Sequence, residues 1–164
     1  MLGLHKLPAH LKLQSPATLI STYFLAGLIK PASGTWGTLA ALPMGIALLA
    51  TFGPLGLLVA AAIGYALGHW ASTVWISQAD DKDPSAIVID EAVGLWLALT
   101  TAPLTPLGIG LAFALFRLFD IVKPWPVSWA DQKLGGATGI MLDDVLAGIW
   151  AALLLAVASV YGIL

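Results

Sequence analysis

Arg117, Asp120, Lys123, Asp131, Lys133, Asp143 and Asp144 fall in one window, residues 116–148, of a chain in which only 10% of residues are charged. Two further carboxylates, Asp90 and Glu91, stand side by side in an otherwise apolar run, AIVIDEAVGLWLALTTA, at 86–102. Adjacent acids are costly to keep in apolar surroundings, so their presence points to chemistry or ion handling rather than to solubility. Two carboxylate pairs, no cysteine and no well-placed histidine make an all-oxygen donor set. That set suits a hard cation, and Mg²⁺ is the expected metal, keeping several waters and bridging a phosphate. Arg117 and Lys123 are then the partners expected for phosphate oxygens. The residues describe metal-assisted phosphoryl chemistry. Two other readings stand against it. One is a cation- or proton-coupled carrier using the same acids. The other is a structural network in which Arg117, Asp120 and Lys123, three apart along a helix, pair only with each other.

Composition narrows the setting. Hydrophobic residues make up 59% of the 164, and the mean hydropathy is +0.93. A soluble domain carries about 25% charged residues, far more than this chain. The expected fold class is therefore all-α, a polytopic membrane helix bundle forming a single membrane-embedded domain over 1–164. The first 16 residues, MLGLHKLPAHLKLQSP, are a polar segment broken by Pro8 and Pro16 and lack the apolar run of a signal peptide. A net charge of −2 without a basic stripe argues against nucleic acid. The absence of cysteine excludes thiolate catalysis and disulfides. Familiar phosphate signatures are missing too: G-x-x-x-x-G-K-[ST], D-x-D-x-[TV] and D-G-x-x-A-R do not occur, and three histidines are sparse for a two-histidine phosphatase.

The charged residues need elements to hold them. The 13 apolar residues at 17–29 give roughly 20 Å of helix, short of a ~30 Å hydrocarbon core, so an interfacial or re-entrant helix is expected there. Ala32–Thr38 is a small-residue turn leading into a helix. Its N–H groups, at Gly34 and Thr35 among others, suit an anion, though spacing alone describes an ordinary capped loop as well. Residues 38–52 and 55–77 read as a helical hairpin across Phe52-Gly53-Pro54. His69, alone on an apolar helix, reads as hydrogen-bonded to nearby backbone rather than as a ligand. QADDKDPS at 78–85 is an acidic loop, and 86–102 a helix with Asp90 and Glu91 in its first turns, where carboxylates are favoured. Gly94, one turn on, admits another helix. Residues 107–119 form a helix running into the window, Pro124 and Pro126 end it, and Gly135-Gly136 with Gly139 make a loop of exposed N–H groups. A last span is expected over 143–164 with Asp143 and Asp144 at its start. This makes about five membrane helices. The turns at 51–56 and 101–108 carry no Lys or Arg, so the charged ends are expected on the cytoplasmic side. Ile87–Glu91 and Ile140–Asp144 also echo each other, each followed by Gly-x-Trp (Gly94, Gly148), which suggests two parallel helices whose acid pairs face.

Taken together, Phe116-Arg117-x-x-Asp120-x-x-Lys123-Pro124-Trp125-Pro126 and Gly135-Gly136-x-x-Gly139-Ile140-Met141-x-Asp143-Asp144-x-x-Ala147-Gly148 resemble the phosphatidylglycerophosphatase A family. Ile87-Val88-x-Asp90-Glu91-x-x-Gly94 is similar to that family's middle motif, and Gly34-Thr35-x-Gly37-Thr38-Leu39-Ala40-Ala41-x-Pro43 to its first. Ser33 departs from it, standing where the family has Pro, and a looser turn is expected. The resemblance implies a Mg²⁺-dependent phosphatase acting on a phospholipid substrate. It would convert phosphatidylglycerophosphate to phosphatidylglycerol and inorganic phosphate at the cytoplasmic face of a bacterial inner membrane. Placed on that chemistry, Asp90, Glu91, Asp143 and Asp144 are expected to hold the metal, and Asp120 to be a further ligand or the general base. Arg117 and Lys123 would stabilise charge on the phosphate, with Gly34, Thr35, Gly135 and Gly136 cradling it. Direct water attack and an aspartyl-phosphate route both stay open.

Overall fold

The computed structural model describes residues 3–78, 84–162 and 164. The acidic loop at 79–83, Asp83 included, lies outside the described residues. The chain is mostly helical. β1 (Gly3–Leu4) leads to α1 (Pro16–Ser21), a 3₁₀ turn (Ala26–Leu28) and β2 (Ile29–Lys30); α2 (Ser33–Ile76), α3 (Ile89–Leu99), α4 (Pro106–Val122), α5 (Val127–Lys133) and α6 (Gly136–Val160) follow. The all-α expectation needs one correction. Gly3 pairs with Lys30 and Leu4 with Ile29 in a two-residue antiparallel ladder that ties the N-terminal segment to the entry of α2.

The apolar run at 17–29 is a hook. Six helical residues, roughly 9 Å, end where Tyr23, Phe24 and Leu25 take left-handed backbone. Thr22 makes the reversal. Its hydroxyl donates to the Thr18 carbonyl at 2.7 Å and accepts from the Leu25 N–H at 3.0 Å. The run therefore does not cross as one helix.

α2 is a helical hairpin. Gly53 sits at φ 68, ψ −174, a conformation open to glycine, and breaks the helix just before Pro54. Both halves pack on α3: a Cβ at Gly45 would meet Trp96 and Leu99, and one at Gly64 would meet Val93 and Trp96. The Trp96 indole N–H donates to the Ala41 carbonyl at 3.1 Å, so its polar edge is satisfied inside the core. His69 bonds to the Thr138 hydroxyl at 3.0 Å. The expected bond to nearby backbone is replaced by this one to a side chain on α6.

α3 is shorter than the expected 86–102 helix. Ala86–Val88 stay non-helical because the Val88 N–H donates to the Ser21 carbonyl at 2.8 Å and the Val88 side chain wedges against Gly27 and Gly37. The remaining 11 residues, roughly 16 Å, are almost wholly buried between the other helices. Among the described residues, α2 and α6 are the helices long and apolar enough to cross a membrane.

α6 begins earlier than expected. Ala137, Met141, Asp144, Gly148, Ala151 and Leu155 are buried at alternating steps of four and three, a helical stripe that runs straight through Gly139. Gly135–Gly139 is thus a helix start, with Gly136 at φ 66, and Asp143 and Asp144 lie two turns inside. The α3–α6 crossing is backbone-close. A Cβ at Gly148 would overlap the Gly94 carbonyl, and one at Gly94 would overlap the Asp144 carbonyl. The acids sit one turn before both glycines, and Thr101 bonds to the Ala152 carbonyl beyond them at 2.8 Å, so the helices run parallel, with Asp144 of the second pair beside Asp90 and Glu91. Gly148→Val should cost about 3 kcal/mol, because neither backbone can retreat in a packed core. Gly110→Val, with nothing within 4 Å of the added carbon, is the control. Thermal melts in detergent should separate them by several degrees; equal melting would mean that the helices do not cross at Gly148.

Candidate active site

The starts of α2, α3 and α6, the end of α4 and the β1–β2 ladder meet around one cavity of about 760 Å³. Each brings polar groups for a local reason. α3 carries Asp90 and Glu91 in its first turn, where the helix dipole favours them. α4 carries Arg117 and Asp120 in its last turns. It ends at Lys123, whose left-handed φ of 49 lets its N–H bond to the Phe119 carbonyl and turns the chain toward Pro124. α6 adds Asp143 and Asp144.

Oxygens of Asp90, Glu91 and Asp144 all lie within 4.8 Å of one another. Asp90 is 9% exposed and Asp144 3%. Glu91 Oε2 is buried with no hydrogen-bond partner. Three crowded carboxylates repel, and one keeps an idle acceptor, so the arrangement is suited to holding a cation. The donors are all hard oxygens, which fits Mg²⁺.

The basic residues are held beside this triad. Arg117 Nη1 reaches Asp120 Oδ2 at 2.6 Å, Glu91 Oε1 at 3.8 Å and the Thr38 hydroxyl at 3.5 Å. Its Nε is buried and unpartnered, a donor left for an incoming acceptor. Lys123 Nζ bridges Asp143 at 2.8 Å and Asp131 at 2.5 Å. Partial burial alone would lower the Lys123 pKa, but the Asp131 and Asp143 carboxylates outweigh it and hold the pKa above the usual lysine value. The group stays charged across the physiological range.

Of the residues expected from sequence, Gly34, Asp90, Glu91, Arg117, Asp120, Lys123, Gly135, Gly136, Asp143 and Asp144 line this cavity. Two expectations change. Asp143 turns to Lys123 rather than into the triad. Thr35 does not line the cavity, since Ala32, in a left-handed cap, folds its carbonyl back to take the Thr35 N–H at 3.0 Å and the Trp36 N–H at 3.2 Å. Of the turn, Gly34 is what approaches: a Cβ there would overlap Glu91 Oε1 and come within 3.1 Å of Arg117 Nη1. Nor is the turn loosened at Ser33, whose hydroxyl donates to the Ser85 carbonyl and pins α2 to the segment before α3.

Sequence reasoning missed His5, Lys30 and Asp131 at the cavity. Asp131 was visible in the charged window. Lys30 directly follows the apolar run at 17–29 and carries no motif, and the ladder that brings His5 across is too short to leave a strand pattern.

The sequence model of the family described as Phosphatidylglycerophosphatase A matches residues 19–159. A Haemophilus influenzae phosphatidylglycerophosphatase A is 41% identical over 144 residues, covering 87% of this chain and 88% of that protein. The Escherichia coli K12 phosphatidylglycerophosphatase A is 34% identical over 146 residues, 88% and 84% of the two chains. A Bacteroides thetaiotaomicron protein named as a candidate phosphatidylinositol-3-phosphatase is 40% identical over 147 residues, 85% and 91%. No solved structure matches. With its motifs gathered at one cavity and most of its length matched, the chain belongs to the phosphatidylglycerophosphatase A family.

Proposed function

We propose that this protein is a Mg²⁺-dependent lipid phosphatase that hydrolyses phosphatidylglycerophosphate to phosphatidylglycerol and inorganic phosphate. The observation that carries it is the triad of Asp90, Glu91 and Asp144 beside Arg117, in one cavity at the charged end of an apolar bundle. Asp90, Glu91 and Asp144 would hold the metal. The metal would supply charge neutralisation of the phosphate and activation of water. The Arg117 fork binds the phosphate's equatorial oxygens through its Nη and unpartnered Nε donors. Asp120, fixed by Arg117, accepts the proton of the attacking water. Lys123, fixed by Asp143 and Asp131, adds a second positive charge near the departing glycerol oxygen. Gly34 and Gly135–Gly136 leave room for the phosphate. A carrier would place its acids near the bilayer midplane. Here Asp90 and Glu91 stand in the first turn of α3 and Asp144 two turns into α6, all toward one end of the bundle, which favours the enzyme.

We infer further that the two halves of α2 with α3, α4 and α6 make five passes of a bacterial inner membrane. Each half of α2 is roughly 30 Å long; α3, at roughly 16 Å, does not span the core as helix alone, and its pass is completed by the non-helical residues before and after it, shielded from lipid by the neighbouring helices. The far turns lack Lys and Arg, so the site faces the cytoplasm.

The test is phosphate release by the detergent-solubilised protein with Mg²⁺, from phosphatidylglycerophosphate and from phosphatidylinositol 3-phosphate in parallel. Release from the first, with phosphatidylglycerol as the lipid product, is expected. Release from the second alone would move the reading to the activity named for the Bacteroides relative.

A further inference from the structure

Three basic side chains line the cavity, and they are not equivalent. Arg117 is engaged by Asp120 and Glu91, and Lys123 by Asp131 and Asp143. Lys30 makes no ion pair among the described residues. It is exposed yet lines the cavity, which puts it at the mouth. The β1–β2 ladder sets Gly3 opposite Lys30, and the His5 N–H bonds to the Leu28 carbonyl at 2.8 Å, so the N-terminal segment delivers the His5 imidazole to the same rim. The two side chains are near enough that the Lys30 ammonium, after burial, lowers the His5 pKa. Two nitrogen donors at the mouth, neither in an ion pair among the described residues, favour an anion. Arg117 and Lys123, already matched by acids, leave that charge unspent.

The substrate has two phosphates one glycerol apart, the terminal monoester that is cleaved and an inner phosphodiester that joins the headgroup to diacylglycerol. A cavity of about 760 Å³ is sized for a whole headgroup rather than for one phosphate. We propose that Lys30, with His5 beside it, is a second anion subsite that binds the inner phosphodiester of the headgroup. The proposal rests on the phosphatidylglycerophosphatase reading and extends it. It makes Lys30 the residue that separates a two-phosphate headgroup from a single phosphomonoester.

The experiment measures binding without turnover. Two non-hydrolysable probes are titrated calorimetrically into the full chain in detergent with Mg²⁺. One is the deacylated headgroup with its inner phosphodiester intact and a terminal phosphonate. The other is dihydroxybutylphosphonate, which has a single phosphonate. The wild type should bind the first about tenfold more tightly, the scale of one charge-assisted hydrogen bond. Lys30→Gln should remove that difference and leave the single-phosphonate affinity in place, and Lys30→Arg should keep it. Lys12→Gln, an exposed lysine away from the cavity, should change neither. Equal binding of the two probes by the wild type, or a Lys30→Gln variant that retains the preference or weakens both probes alike, would overturn the subsite. Absence of phosphate release from phosphatidylglycerophosphate would instead refute the parent reading, whichever way the binding ratio falls.

Discussion

Asp144→Asn is expected to lower phosphate release from phosphatidylglycerophosphate by about 10³-fold, roughly 4 kcal/mol of transition-state stabilisation. Asp144 is the most buried of the three clustered acids, 3% exposed, and it reaches the cluster from a different helix than Asp90 and Glu91. The amide has the carboxylate's shape, so the α3–α6 crossing survives. What goes is one of three negative charges that converge on the proposed cation site. The loss should appear in turnover and in the Mg²⁺ concentration needed, with expression and melting close to wild type. Asp131→Asn is the contrast. Asp131 is exposed and acts on the site only by flanking Lys123, so its loss should stay within about tenfold. Near-wild-type turnover in Asp144→Asn would remove the triad from the mechanism.

The second large effect is expected at Arg117. Its guanidinium spans Asp120, Glu91 and Thr38 and keeps a buried Nε without a partner. Lysine offers a point charge where this site uses a planar fork. Arg117→Lys should therefore lose about 10²- to 10³-fold in kcat while the protein still folds. Arg117→Met should do worse and also destabilise the fold by about 3–5 kcal/mol, because Glu91 and Asp120 would lose their buried counter-charge. A steady-state comparison with melting curves separates the two effects. A Lys variant with wild-type kcat would show that the fork does not touch the reacting phosphate.

Much of this was readable in the amino-acid sequence because the informative residues break its pattern. Charge is rare, so each charged position in an apolar run marks a constraint. Glycines at 94 and 148 sit where helices must touch, and Gly53-Pro54 stops a helix that nothing else would stop. Harder to read were tertiary overrides of local preference. Ala86–Val88 look helical but are held out of the helix by the bond from Val88 to Ser21, and Gly139 looks like a loop but is carried by the buried stripe of α6. Side-chain direction was also hidden. Asp143 and Asp144 are adjacent in sequence, yet successive helical residues point about 100° apart. One enters the triad and the other turns to Lys123. The rim formed by His5 and Lys30 depends on a two-residue ladder, below the length at which alternation shows.

The central claim is that Asp90, Glu91 and Asp144 form the divalent-cation site of a phosphatase. A Mg²⁺ titration of chelator-stripped protein tests it most directly, read as phosphate release from phosphatidylglycerophosphate by the wild type and by Glu91→Gln. The account predicts no release above background without the metal and saturable recovery on adding it. It also predicts a midpoint displaced at least about tenfold to higher Mg²⁺ in the variant. Full turnover in excess chelator, or one and the same midpoint for both proteins, would contradict it.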